Sequence, residues 1–168
     1  MSIAYIGLGS NIGDRLGYIQ QSCKMLNDIE GIQVVECSSF YETEPFGYKE
    51  QEWFVNAIVI VKTELSAENL LDVCADIEKR LGRDRQKQKI QWGPRTVDLD
   101  ILFFDDKIIS TSFLQVPHPR VHLRAYALVP LLEIAANYVH PVLKKTIEKL
   151  HDDLENPEEV YLYGTRRI

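Results

Sequence analysis

Two stretches of helical period, each set between apolar runs of strand character, constrain the fold of this chain more than any other feature. Leu16, Ile19, Cys23, Leu26 and Ile29 recur at steps of three and four, which places them on one face of a helix introduced by Asn11 or Asp14 and closed by Gly31. Leu70, Leu71, Cys74, Ile77 and Leu81 repeat the pattern between Ser66, a good N-cap, and Gly82. Four strand-like runs surround them. These are Ile3 to Leu8, running into a turn at Gly7, Gly9 and Ser10-Asn11; Ile32 to Tyr41; Trp53 to Lys62; and Thr96 to Phe104, ended by Asp105-Asp106. Strand, helix, strand, strand, helix, strand is the order of a ferredoxin-like βαββαβ core, an α+β fold with an antiparallel sheet flanked by helices. The remainder reads as C-terminal additions. They comprise Lys107-Ile108-Ile109, the bend Val116-Pro117-His118-Pro119-Arg120, a short helix started by Pro130 and running through Ala136, and an amphipathic helix from Leu143 to Leu154. The polar tail from Asn156 receives no role.

A single domain over 1–168 is expected, since 168 residues suffice for one sizeable core. The net charge of −6 disfavours a general nucleic-acid or anionic-membrane binder, which usually carries a basic excess. Any anionic substrate must then be held by a local cluster of cations. Cys23, Cys37 and Cys74 form no C-x-x-C pair and read as core thiols of a reducing cytoplasm. Nothing resembles a signal peptide, and no run approaches the ~20 apolar residues of a membrane span.

The fold itself decides nothing about chemistry. That signal lies in Trp92-Gly93-Pro94-Arg95-Thr96-Val97-Asp98-Leu99-Asp100. On a strand leaving a Gly-Pro turn, Asp98 and Asp100 share a face while Val97, Leu99, Ile101 and Phe103 turn to the core. Paired carboxylates repel, and a hard cation such as Mg²⁺, which prefers oxygen ligands, relieves the repulsion. Two solvated acids on an open sheet face are the plain alternative. Against it stands Lys79, Arg80, Arg83, Arg85, Lys87, Lys89 and Arg95, a cationic approach to the pair in an acidic chain, which suits a nucleoside triphosphate. Asn56, inside an apolar strand, must find partners or stay wet. Gly9-Ser10-Asn11 lacks the lysine of a P-loop and reads as a structural turn.

With these residues in place, the sequence resembles the 6-hydroxymethyl-7,8-dihydropterin pyrophosphokinase family nearly end to end. The resemblance rests on Tyr5-Ile6 with Gly9-Ser10-Asn11, Ser38-Ser39-Phe40-Tyr41 with Thr43 and Pro45, the Asn56 strand, Gly82-Arg83, the Trp92-to-Asp100 block and Val116-Pro117-His118-Pro119. It implies transfer of the terminal pyrophosphoryl group of ATP to the pterin hydroxymethyl oxygen, releasing AMP, in folate biosynthesis. It further implies that Asp98 and Asp100 hold two Mg²⁺ ions, and that Arg83, Arg95, His118 and Arg124 contact phosphates with Glu78 near the nucleotide. Arg85 and Trp92 belong, on the same grounds, to a mobile catalytic loop that works with Arg83 and Arg95. Phe54 and Tyr126 sandwich the pterin, while Asn56 and the backbone around Thr43, Pro45 and Phe46 read its polar edge.

There are departures from the family pattern. Phe54 stands where tyrosine is common, Tyr126 where phenylalanine is, and Glu44 where proline is. The expected partners are small molecules only, with no nucleic acid or membrane, and the expected state is a monomer. Two other readings remain at this point: a Mg²⁺-dependent phosphohydrolase or nuclease, whose acceptor is water, and a ferredoxin-like RNA-binding module that stacks bases on Phe54 and Tyr126.

Overall fold

The computed structural model describes residues 1–83 and 93–164. Arg85, Trp92 and the loop assigned to them therefore lie outside the described residues. Strand β1 (Ser2–Ser10) leads into helix α1 (Arg15–Asp28), capped by the Asp14 side chain, which accepts from the Gly17 N–H. Strands β2 (Ile32–Cys37), β3 (Phe40–Thr43) and β4 (Phe54–Thr63) follow. Helix α2 (Ala67–Arg80) begins at Ser66, whose hydroxyl accepts from the Asn69 N–H, and ends before Gly82 at φ +89°, a left-handed conformation that glycine adopts at little cost. Strand β5 (Asp98–Phe104) completes the βαββαβ order, and a small ribbon of β6 (Ile109–Ser110) and β7 (Gln115–Val116) and a last strand β8 (Val160–Gly164) come later in the chain. All pairings of the main sheet are antiparallel, and its strands run β5-β1-β4-β3-β8, with β2 also on β4. This is the ferredoxin-like arrangement, extended at one edge by β8 (Val160–Gly164).

Period-two alternation sends opposite residues of each strand to two different layers. Ala4, Ile6, Leu8, Val55, Ala57, Val59, Val61, Val97, Leu99 and Ile101 pack with Ile19, Leu26, Leu70, Cys74 and Ile77 of α1 and α2. Each such fully buried Leu or Ile contributes about 1.5–3 kcal/mol. The other face carries Ile58, Leu102 and Phe103, covered by α3 (Ala125–Ala135) and α4 (Ile147–Asp152) with Val121, Leu128, Leu131 and Ile147.

Six readings of the sequence change here. Phe103 lies on this second face and not with Val97, Leu99 and Ile101, because the β1–β5 register shifts between Tyr5 and Ile6 and turns Leu102 and Phe103 to the same side. Gly7 and Gly9 lie inside β1, not in the turn after it, since the strand is paired on both sides as far as Gly9. The run from Ile32 to Tyr41 is two strands, broken at Ser38-Ser39, where the Ser38 hydroxyl accepts from the Ile58 N–H. Pro130 sits in the interior of α3, which starts at Ala125, and α4 is confined to Ile147–Asp152 by its Thr146 cap. The tail from Asn156 holds β8.

Candidate active site

The room on the second face comes from what β1 leaves out. Along this strand Tyr5, Gly7 and Gly9 alternate with the core residues. Tyr5 fills its place by packing edge-on against Phe103 and tilted against Tyr138, with ring centroids 5.8 and 4.8 Å apart. The glycines fill nothing. Gly7 lies opposite Ile58 and Asp100, and Gly9 opposite Asn56 and Asp98. A Cβ on residue 9 would stand 2.6 Å from Asn56 Oδ1, so glycine is what lets that amide lie across the strand. Asn56 is satisfied in a central strand, its Nδ2 donating to Thr43 Oγ1 at 2.6 Å. The result is a cavity of about 540 Å³, within the range that encloses a small ligand.

One side of the cavity is a chain of alternating charge. Glu78, almost fully buried on α2, accepts the Leu99 N–H at 2.8 Å and Arg83 Nη1 at 3.1 Å. The same Nη1 donates to Asp98 Oδ1 at 2.6 Å and to the Val97 carbonyl at 3.3 Å. Asp98 Oδ2 accepts from Arg95 Nη1 at 2.9 Å. Arg95 donates twice more to the Gly93 carbonyl, and its guanidinium lies over Phe54, 5.3 Å from the ring centroid. Each buried charge thus meets an opposite one, the condition under which a buried ion pair is tolerated. Arg95 also links the acid pair to an aromatic face.

Asn11 holds this side in place. Its amide donates to Gln51 Oε1 and the Glu52 carbonyl, its Oδ1 accepts the Arg95 N–H at 2.9 Å, and its own N–H reaches the Arg95 carbonyl at 3.2 Å. The bend after β5 supplies a further part of the wall. The His118 N–H donates to the Leu102 carbonyl at 2.9 Å, and its Nδ1 accepts the Arg120 N–H at 3.2 Å, which puts the proton of the neutral ring on Nε2. Burial pushes the His118 pKa down; the Asp98 charge opposes that push, and Arg120 and Arg124 add to it. Burial first, and then the Asp100 carboxylate, push the Tyr126 phenol up to about 12, so it stays protonated at neutral pH. Arg124 lies over the Phe46 ring, its Cζ 3.5 Å from the centroid.

Thr43, Phe46, Phe54, Asn56, Arg83, Arg95, Asp98, Asp100, His118, Arg124 and Tyr126 all line this one cavity. Glu78 and Pro45 are not among its lining residues. Glu78 sits behind β5 and reaches the cavity through Arg83, while Pro45 is buried and its carbonyl accepts from Lys49 Nζ. Sequence reasoning missed Glu44 and Arg120, which line the wall, and the part played by Gly7 and Gly9. The alternation Tyr5-x-Gly7-x-Gly9 was the signal, a row of shrinking side chains on one strand face.

Asp98 and Asp100 present hard oxygen donors in a cavity of cations and aromatic rings. Among the described residues, no group of three His, Cys, Asp or Glu side chains could hold a metal ion. Both Asp98 oxygens accept from arginines here, so a cation bound at the pair would share or displace those bonds and draw the rest of its shell from other oxygens. Burial raises the Cys74 pKa, and the charges of Glu78 and Asp100 add to the rise.

Residues 5–136 match the family model for 7,8-dihydro-6-hydroxymethylpterin-pyrophosphokinase. A 2-amino-4-hydroxy-6-hydroxymethyldihydropteridine pyrophosphokinase of Bacillus subtilis is 48% identical over 133 residues, covering 79% of this chain and 78% of its own. One from Methylorubrum extorquens is 45% identical over 139 residues, covering 83% and 86%. The crystal structure of Plasmodium falciparum HPPK-DHPS, wild type with pteroate, superimposes with a TM-score of 0.71 at 20% identity, over 90% of this chain and 42% of that one. The likeness to that structure is one of fold, and this chain spans less than half its length.

Proposed function

The chain belongs to the 7,8-dihydro-6-hydroxymethylpterin-pyrophosphokinase family, and we propose that the cavity over Gly7 and Gly9 is where it binds both substrates. The reaction is transfer of pyrophosphate from ATP to 6-hydroxymethyl-7,8-dihydropterin, a step of folate biosynthesis. The hydroxymethyl oxygen loses its proton to solvent and bonds to the β-phosphorus of ATP, the bond from that phosphorus to the oxygen of the α-phosphate breaks, and AMP leaves with that oxygen. Such a transfer depends on positioning and electrostatic stabilisation more than on a covalent intermediate.

One arrangement supports this assignment of roles most: the Asp98/Asp100 pair, its arginines and the Asn56–Thr43 amide share a single cavity. Asp98 and Asp100 would hold Mg²⁺, two ions in our reading, which would neutralise phosphate charge and align the attacking and leaving oxygens. Glu78 and Asp98 hold the Arg83 guanidinium, and Asp98 and the Gly93 carbonyl hold that of Arg95, so both cations stand beside the acid pair, where they would meet phosphates. Neutral His118 offers a proton donor, Nε2, to a phosphate oxygen, and Arg124 adds a further cation to the cavity lining. Phe54, Phe46 and Tyr126 supply aromatic surface for the pterin, and Asn56 and Thr43 supply groups that match its polar edge. Arg85 and Trp92 are assigned to a closing loop by resemblance alone.

We read the chain as one catalytic domain, a monomer, acting in the cytoplasm. Cys23, Cys37 and Cys74 are unbridged, which fits a reducing compartment. Among the described residues no helix is long and apolar enough to cross a membrane.

The test is an incubation of pure protein with ATP and Mg²⁺, with and without 6-hydroxymethyl-7,8-dihydropterin. AMP should form with the pterin present. AMP formation that ignores the pterin would mark a hydrolase and overturn the reading.

A further inference from the structure

The C-terminal segment touches both rims of the cavity, although the family match ends at residue 136. Helix α3 starts at Ala125, and its N-cap, Arg124, provides no side-chain hydrogen bond to the first turn. The acceptor comes from 33 residues away: Glu158 Oε1 takes the N–H of Ala125 and, at 3.2 Å, that of Tyr126. A carboxylate there meets two otherwise unpaired donors and the positive end of the helix dipole. Burial raises the Glu158 pKa, and the two N–H bonds and Arg124 counter that rise.

The next residue grips the other rim. The Glu44 N–H donates to the Glu159 carbonyl at 3.1 Å, and the Glu159 N–H donates to Glu44 Oε1 at 2.8 Å. From there β8 pairs along β3, Val160 opposite Thr43. Two consecutive residues therefore connect the start of α3, with Arg124 and Tyr126, to the Thr43–Phe46 rim, where Arg124 lies on Phe46.

We propose that Glu158 is a positioning residue for the pterin side of the site, holding the first turn of α3 so that Tyr126 faces Thr43 and Phe46 at a fixed spacing. The inference rests on the proposed function. Because Glu158 shapes the cavity before substrate enters, its loss acts on pterin binding more than on the transfer step.

The experiment is steady-state kinetics and thermal unfolding of the full chain, with the wild type, E158A, E158Q and the exposed control E155A compared well below their melting temperatures. The loss of a helix-capping acceptor should raise the pterin KM of E158A roughly tenfold, with kcat within about threefold. E158Q keeps an oxygen for the two N–H groups and should return KM to within about threefold of the wild type; E155A should match the wild type. A folded E158A with wild-type pterin KM overturns the inference. So does a loss of kcat at constant KM, or an equal defect in E158A and E158Q. If E158A does not fold, E158D, whose carboxylate is withdrawn by one methylene, carries the test: raised KM supports the inference and unchanged KM overturns it. A wild type that makes no product fails the functional reading itself, whereas an active wild type with an indifferent Glu158 fails this inference alone.

Discussion

The two faces of one sheet meet different fates, and β1 shows why. Toward α1 and α2 it presents Ala4, Ile6 and Leu8, all essentially without exposure, in a continuous apolar layer. Toward the other side it presents Tyr5, Gly7 and Gly9, so the covering layer of α3 and α4 packs on Tyr5 and Phe103 and leaves the glycine end open. The same division runs through β5, where Leu99 and Ile101 face the helices while Asp98 and Asp100 face the cavity. Stability is concentrated on the sealed face and polar side chains on the open one. The consequence is that damage to the two faces should be separable.

The largest effect should come from the sealed face. Leu26→Ala or Leu70→Ala removes a fully buried side chain and should cost about 2–5 kcal/mol of unfolding free energy. Denaturant melts check the cost, and turnover per folded molecule should stay close to that of the wild type. Asp100→Asn reverses the pattern. It should lower AMP production at least ~100-fold, the scale of losing a strong electrostatic element, with the melting temperature nearly kept. Near-normal turnover would remove the acid pair from the mechanism.

Gly9→Ala probes the open end by shape. Its Cβ would meet Asn56 Oδ1 at 2.6 Å, whereas at Gly7 the nearest atoms, on Leu102 and Ile58, are 3.6–3.7 Å away. Displacing that amide should weaken pterin binding roughly tenfold, at an overpacking cost of about 1–3 kcal/mol. Gly7→Ala should do less, and pterin titrations of the two variants test the difference.

The smallest effect concerns the covered half of the second face. The His122 and His140 rings lie 6.2 Å apart, and burial lowers both pKa values, with Arg124 adding to the shift of His122 and His140 and His122 interacting unfavourably. A histidine kept neutral in the fold binds a proton more readily when unfolded, so its contribution is present above pH 6.5 and is lost as pH falls through the lowered folded values. Melting temperature should therefore decline below that pH, and His140→Asn should flatten the decline.

Most of the fold was legible because the two helical stripes and the flanking strands are locally consistent. The acid pair was legible because i and i+2 on a strand must share a face. What escaped depended on partners distant in sequence. Phe103 changed face through a register shift, visible only once β1 is paired with β5. Glu78 carries an acid's usual signature of exposure, and only its contacts with Leu99 and Arg83 explain its burial. Glu158 belongs to a polar tail with no periodic pattern, and its role follows from a helix start 33 residues earlier. Asn11 read as a turn residue, and its grip on Arg95 spans 84 positions.

The most direct measurement uses ATP labelled at the β-phosphorus. With Mg²⁺ and 6-hydroxymethyl-7,8-dihydropterin, the label should leave with the pterin, one equivalent for each AMP formed, and Asp100→Asn should abolish that transfer while remaining folded. Label recovered in ADP or as free pyrophosphate, in place of the pterin product, would contradict the account.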